Sequence, residues 1–455
     1  MPNEALEKYA SRLAARDCAL AMRLLRGVLQ NMALCDYYVS CFSSLKLNKI
    51  EPRVLDILRL SVYQLVFMNR IPHSAAVDEG VSLAAKYANQ RASGFVNAVL
   101  RKVAEAAGKR DLPAIADCSA EQALSVRYSH PEWLIEELFE SLGPESTELF
   151  LSANNADDLA ICAQVNTLLA NTDEVIKEFE ADGVDAKRHE WLGDCVTIRG
   201  AGDITQMNAF KNGHIYIQDA AARLAVTAAG PAPGMYIIDG CAAPGGKSFA
   251  SALAMENSGR ISAFDLTDEK LRMITAGAER LGINIIETAI SLMTDTAKAG
   301  NAGCASINLG TGCGGDDHCA LSNPGLGDSE SKADIVIADV PCSGFGVIRK
   351  KPEIRYKTAK MIENLPSIQK SILCNLSNFV KPGGILLYST CTVLKRENED
   401  VTDWFLALDN NYVRESFSLP HIGEIITGHC TLLPHIHGTD GFYICKLRRK
   451  NNNEN

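Results

Sequence analysis

The chain has 455 residues, roughly three times a common domain length, so two or three domains are expected. Hydrophobic residues at 47% and charged residues at 22% exclude a disordered chain, and no apolar run approaches the roughly 18 residues of a membrane-spanning helix. The formal charge of −10 is uneven: residues 1–110 carry 16 basic and 9 acidic side chains, the remainder 29 and 46.

That asymmetry predicts a basic module joined to an acidic one. The basic part is a candidate for phosphate contact or, equally, a helical domain with a solvated basic face. Fifteen cysteines, an odd number scattered over a chain without an export signal, read as reduced thiols of a cytoplasmic protein.

Residues 1–110 read as a helical bundle. Val54, Leu58, Val62 and Leu65 repeat at helical spacing, as do Phe95, Val96, Val99, Leu100 and Val103, with Pro52 and Pro72 between helices. Composition shifts around Asp111-Leu-Pro and Tyr128-Ser-His-Pro131, and a helix is expected from Glu132, just after Pro131. Residues 145–220 mix short apolar runs (159–165, 195–198, 214–217) with a helical stretch at 174–179, which reads as a small α+β unit. From about 222 short apolar runs at 235–239, 260–264, 334–339 and 384–390 alternate with helical segments, the signature of a parallel sheet covered on both faces. The run 441–447 reads as a late strand on an antiparallel edge. Residues 299–333 break the rhythm with eight glycines and no periodicity, and read as a surface insertion. Cys304, Cys313, His318 and Cys319 within it lack any C-x-x-C pair, which argues against zinc. No metal is expected.

Three motifs carry chemistry. The first is the glycine-rich turn Cys241, Ala242, Ala243, Pro244, Gly245, Gly246, Lys247, following a strand and opening a helix. A P-loop needs glycine where Cys241 stands, and a dinucleotide G-x-G-x-x-G is absent. A nucleoside site remains, with Asp265, 26 residues after Asp239, as the acid for ribose hydroxyls. The second motif is Asp339-Val-Pro-Cys342-Ser-Gly344 at a strand's carboxyl end, and the third is Tyr388-Ser-Thr-Cys391-Thr392 at the end of the next strand. Two cysteines and an aspartate thus converge on one sheet edge, where open α/β sheets bind ligands. Any one cysteine is more often a small core hydrophobe; the pair favours function.

The runs CAAPGGK at 241–247, DVPCSGFGVIRKKP at 339–352 and YSTCTVLKREN at 388–398 resemble the RNA cytosine-carbon-5 methyltransferases. NRIPHSAAVDE at 69–79, GFVNAVLR at 94–101 and YSHPEWL at 128–134 narrow the resemblance to the bacterial ribosomal RNA small-subunit methyltransferase B family. It covers nearly the whole chain except the insertion. It implies a multidomain fold: an all-α NusB-like RNA-binding bundle (1–125), a linker helix with a small α+β, RRM-like unit (126–220), and a Rossmann-like methyltransferase domain (221–450).

The resemblance further implies S-adenosyl-L-methionine as donor, held by Cys241 to Lys247, Asp265, Asp295 and Asp339. Around Asp295 the sequence departs from the family's usual Gly-Asp, so a solvated turn residue is the competing reading. Cys391 is the implied nucleophile toward cytosine carbon 6, Cys342 the thiol tied to product release, and Asp339 the acid at ring nitrogen 3, provided burial raises its pKa. Attack by Cys342, as in DNA cytosine methyltransferases, is the internal rival. The implied substrate is 16S rRNA, near its helix 31, naked or in an early assembly particle. The alternatives are tRNA, or an RNA binder with an inactive catalytic half. No membrane partner is expected, and a monomer is the default. Glu397 and Asn398 read as the opening of the helix after the nucleophile, and Lys247 could be a helix-start cation.

Overall fold

The computed structural model describes residues 13–116, 118–156, 160–291 and 332–451. Asp295 and all but the end of the 299–333 insertion, including Cys304, Cys313, His318 and Cys319, lie outside the described residues. The chain forms two compact units: residues 1–156 with 348–359, and residues 157–347 with 360–455.

The first unit is helical: α1 (Ala15–Phe42), α2 (Pro52–Phe67), α3 (His73–Tyr87), α4 (Gln90–Lys109), α5 (Ala120–Tyr128), α6 (Glu132–Leu142) and α7 (Pro144–Asn154). Pro52 sits in the first turn of α2, where its missing N–H costs nothing, and the Asn89 side chain caps α4 by accepting from Ala92 N at 2.9 Å. The periodic residues point inward: Leu58, Val62, Val96, Leu100 and Val103 are fully buried, each worth roughly 1.5–3 kcal/mol of transfer free energy.

Helix α1 is kinked at Asn31, whose φ of −125° leaves the helical region. Leu34 N there donates to Ser129 Oγ at 3.3 Å. Carbonyls at the kink accept from the segment 348–359, which belongs to this unit. Arg355 Nη1 donates to Gln30 O (2.7 Å) and Tyr128 O (3.0 Å), Tyr356 Oη to Leu29 O, and Arg26 to Lys350 O. The stretch that follows the Pro-Cys motif is thus held by the first helix.

The second unit holds two main sheets. The smaller is antiparallel, ordered β2-β3-β1-β4 from β1 (Ile161–Val165), β2 (Asp185–Arg188), β3 (Cys195–Arg199) and β4 (Ile215–Ile217), with α8 (Thr172–Ala181) against it. Val165, Val175, Phe179, Val196, Ile198 and Ile215 form its core. Strand β2 is absent from the sequence reading because it is a polar edge strand with only Ala186 buried.

The larger sheet runs β10-β14-β9-β8-β5-β6-β7, with β13 also beside β14. Its members are β5 (Tyr236–Asp239), β6 (Arg260–Asp265), β7 (Ile286–Ile290), β8 (Ala333–Asp339), β9 (Val380–Thr390), β10 (Tyr412–Arg414), β13 (His429–Leu432) and β14 (Phe442–Arg449); β11 (Phe417–Leu419) and β12 (Ile422–Ile426) form a separate hairpin. Strands β5 to β9 are parallel, and β14 is antiparallel to β9. The expected antiparallel strand is therefore present but is not an edge: β10 and β13 cover its far side with short, half-polar strands that give little sequence signal.

The longer of the remaining helices are α9 (Ala220–Ala229), α10 (Gly246–Ala254), α11 (Asp268–Leu281), α12 (Leu365–Ser377) and α13 (Glu399–Leu408). The chain leaves β5 toward β6 on one side and returns at β8 on the other, so a topological switch point opens between β5 and β8. All three motifs leave the carboxyl ends of β5, β8 and β9, around this crevice. Among the described residues no helix is long and apolar enough to cross a membrane.

Candidate active site

The glycine-rich turn is fixed by its neighbours: Gly240 N donates to Ile337 O (2.9 Å) and Ala242 N to Phe264 O (2.8 Å). Gly245 has φ +110°, and a Cβ there would lie 2.4 Å from the Phe249 ring, so glycine is required for conformation and for space. The turn walls a pocket that Gln218, Asp239, Cys241, Pro244, Lys247 and Asp339 also line.

Two carboxylates mark this pocket's chemistry. Asp239 Oδ2 accepts from Ser248 Oγ at 2.7 Å, while the buried Oδ1 has no hydrogen-bond partner. Burial pushes its pKa up to about 7. Asp265, at the end of β6, accepts from Ala243 N (3.0 Å), Leu266 N (2.7 Å) and Lys270 Nζ (2.9 Å). Burial alone would raise it, but the Lys270 ammonium and the two N–H groups hold it below the usual carboxylate range. Three of its roughly four lone-pair directions are used, leaving one acceptor for a hydroxyl. Cys241 lines the pocket as a protonated thiol, pushed up by burial.

The thiols meet beside it. Cys342 Sγ and Cys391 Sγ are 3.1 Å apart, on loops leaving adjacent parallel strands in which Asp339 pairs with Ser389. Both are half-buried and reachable from solvent. The contact with Cys342 lowers the pKa of Cys391, helped by Lys247 against the opposing effects of burial and Asp339. The same bond, then burial and the charges of Cys391, Glu397 and Asp339, raise Cys342. Either sulfur can donate across this pair, and the Lys247 ammonium is the nearby charge that favours a thiolate on Cys391.

The role of acid at ring nitrogen 3 requires burial around Asp339. Its side chain is instead 31% exposed and ion-paired, with Oδ2 2.6 Å from Lys247 Nζ and Oδ1 accepting from Ser389 Oγ at 2.7 Å. Lys247 is 7% exposed and lies 5.0 Å over the Phe442 ring, so it is no solvated helix-start cation.

Glu397 and Asn398 also depart from the expectation. They precede α13, but both side chains are fully buried and turn back to the thiol loops. Gln369 joins them, donating to Glu397 Oε2 and Pro341 O; nothing in the sequence around Gln369 signalled this. The backbones of Gly346 and Gly441 touch: Gly346 N donates to Cys391 O and Gly441 N to Gly346 O, both at 2.9 Å.

Comparison with known proteins gives this site its context. A family profile described as 16S rRNA methyltransferase RsmB/F matches residues 226–448, the NusB family matches residues 2–105, and a ferredoxin-like domain of RsmF/B-like methyltransferases matches residues 130–205. The chain is 32% identical to the "Probable ribosomal RNA small subunit methyltransferase B" of Bacillus subtilis (strain 168), over 97% of this chain and 92% of the relative. It belongs to the ribosomal RNA small subunit methyltransferase B family.

The family's member from Vibrio cholerae is 30% identical over 98% of this chain and 93% of its own. The crystal structure of PH0851 matches with a TM-score of 0.75 and 27% identity, covering 98% and 93% of the two chains. The chain is thus an S-adenosylmethionine-dependent rRNA methyltransferase with a NusB helical domain, a small ferredoxin-like domain and a catalytic domain built on a mixed sheet. The pocket fits that donor: an unpartnered buried carboxylate oxygen on Asp239 suits its cationic part, and the open acceptor on Asp265 suits a ribose hydroxyl.

Proposed function

We propose that this enzyme methylates a cytosine of 16S rRNA at ring carbon 5, in the loop of helix 31, through a covalent Cys391 adduct to carbon 6. The observation that carries the reading is the thiol pair, with Cys342 hydrogen-bonded to Cys391 beside the Lys247–Asp339 ion pair. Cytosine carbon 5 becomes nucleophilic when a thiolate adds to carbon 6 and the 5,6 electron pair is released toward carbon 5. The charge that develops at ring nitrogen 3 is neutralised by a proton that Asp339 takes from the Lys247 ammonium and passes on, and ring nitrogen 3 returns it by the same route on release. Bound S-adenosylmethionine, held by Cys241 to Lys247, Asp239 and Asp265, supplies an electrophilic sulfonium methyl. The carbon-5 proton then leaves to water, the 5,6 double bond reforms, and the sulfur–carbon-6 bond breaks with its electron pair returning to Cys391. The Cys342 S–H supports that departing sulfur, which makes Cys342 the release residue.

The target base leaves its stack to reach Cys391, at lower cost from an unpaired loop. The basic helical unit holds RNA backbone, the protein works as a monomer in the cytoplasm, and its substrate is naked 16S rRNA or an early assembly particle. The test is transfer of a labelled methyl group to unmodified 16S rRNA, with bulk tRNA alongside. Label recovered as 5-methylcytosine in 16S rRNA, lost with Cys391→Ala, is the expected result, and Cys342→Ala accumulates a covalent RNA adduct. Label on tRNA alone overturns the substrate. Donor and RNA binding without label overturns the catalytic reading in favour of an RNA-binding role.

A further inference from the structure

Two thiols 3.1 Å apart pose a question of identity: both sit at strand ends, both are half-buried, and one must attack while the other must not. The two residues that follow the Cys391 loop bear on it, because each holds a different cysteine. Asn398 accepts from Thr390 Oγ1 (2.6 Å) and donates to Thr392 O (3.0 Å), gripping the residues on either side of Cys391. Glu397 Oε2 accepts from Ser343 N and from Gln369 Nε2, both at 2.9 Å, gripping the residue after Cys342. Tyr388 Oη donates to the Glu397 carbonyl at 2.6 Å, and Ser343 Oγ donates to Thr392 Oγ1 at 2.8 Å, stitching the loops together.

A clamp alone does not need a carboxylate. A neutral glutamine would accept the Ser343 N–H as well, without the cost of burying a charge. Here the carboxylate is fully buried and its Oε1 has no hydrogen-bond partner. Its Oε2, held by two N–H groups, stands on the Cys342 side of the pair through Ser343 N, whereas the Lys247 ammonium favours the Cys391 side. Asp339, Tyr388 and Asp440 are further ionisable groups near the thiols.

We propose that Glu397 is the positioning residue that makes the two thiols unequal: its buried carboxylate keeps the proton on Cys342, so that Cys342 donates to Cys391 and Cys391 attacks. This rests on the reading of Cys391 as nucleophile and adds the cause of its selection.

The test is alkylation by iodoacetamide across pH, with Cys342 and Cys391 peptides quantified by mass spectrometry in wild type, Glu397→Gln and Glu397→Asp. In wild type Cys391 reacts first. In Glu397→Gln the Cys342:Cys391 rate ratio rises about tenfold, the equivalent of one pKa unit, and Glu397→Asp brings it back. Methyl transfer by Glu397→Gln loses kcat while KM for RNA holds. An unchanged ratio in a folded Glu397→Gln protein overturns the inference. RNA bearing 5-fluorocytidine, whose carbon 5 has no proton to lose, separates the two ideas. An adduct on Cys342 in wild type overturns the Cys391 reading as well, whereas an adduct on Cys391 with an unchanged ratio overturns the role of Glu397 alone. Should Glu397→Gln fail to fold, Cys391→Ser decides. The Cys342 alkylation midpoint in Cys391→Ser is then compared with that in Cys391→Ser/Glu397→Met: a lower midpoint in the double variant supports the role of Glu397, and an equal midpoint overturns it.

Discussion

The protein holds a second cysteine pair with the same sulfur separation. Cys162 Sγ and Cys195 Sγ are also 3.1 Å apart, on the adjacent antiparallel strands β1 and β3. They lie in the apolar core shared with α9, with the Gln164 amide 3.7 and 3.4 Å away. Cys342 and Cys391 instead stand beyond the ends of parallel strands, half-buried, with Lys247, Asp339 and Glu397 in electrostatic reach. Sulfur proximity alone therefore makes no active site. Position in the sheet and asymmetry of charge do, because a thiolate needs access and a neighbour that stabilises it.

The largest expected effect breaks this comparison most directly. Cys391→Ala is expected to lower methyl transfer by about 10⁴-fold or more, as loss of a nucleophile does, while Cys195→Ala stays within about twofold of wild type and loses on the order of 1 kcal/mol of stability. Brief alkylation of the native protein should mark Cys391 and spare Cys162 and Cys195 until denaturant is added. Equal labelling of Cys195 and Cys391 would show that the two environments do not differ as argued.

A substitution that leaves both sulfurs intact sharpens it. A Cβ on Gly346 would lie 1.8 Å from the Gly441 carbonyl oxygen and 2.9 Å from that of Cys391, and neither is a flexible side-chain tip. Gly346→Ala must displace the Cys391 loop, and a shift near 1 Å is expected to cost about 100-fold in transfer. Donor affinity, measured by calorimetry, should change little, since the glycine-rich turn leaves a different strand. A Gly346→Ala enzyme of normal rate would mean that loop spacing is not critical.

Much of this was legible in the sequence, for physical reasons that also explain the gaps. Val54, Leu58 and Val62 announce a helix because burial selects one face, and residues 334–339 announce a parallel strand because both faces are covered. Cys241 to Lys247, Asp339, Cys342 and Cys391 are visible because each combines turn formers with a reactive group at a strand end. Strands β2 and β7 are not, since edge strands bury little: Ile286–Ile290 has no fully buried residue. The inward turn of Glu397 and Asn398 is hidden for another reason. An acid before a helix is expected anyway, and only the fold shows that Ser343, Gln369, Thr390 and Thr392 receive them.

The smallest expected effect tests what the polar environment costs, a cost the Cys162–Cys195 pair does not share. Asp239 is held near pKa 7 by burial against an ordinary value of 3.8, opposed in part by Ser248 and Lys247. The folded state thus binds this proton more tightly than the unfolded one. The associated stability is fully present below about pH 4, is lost as pH rises through about 7, and stays lost above it. Asp239→Asn removes the titration, so its melting temperature relative to wild type should rise between pH 5 and pH 8, by about 2–4 °C for each kcal/mol involved. Bound donor should narrow the gap, because a cationic group beside Oδ1 favours the ionised carboxylate. A gap independent of pH would mean that Asp239 does not titrate in this range, and the donor pocket would then carry its charge without penalty.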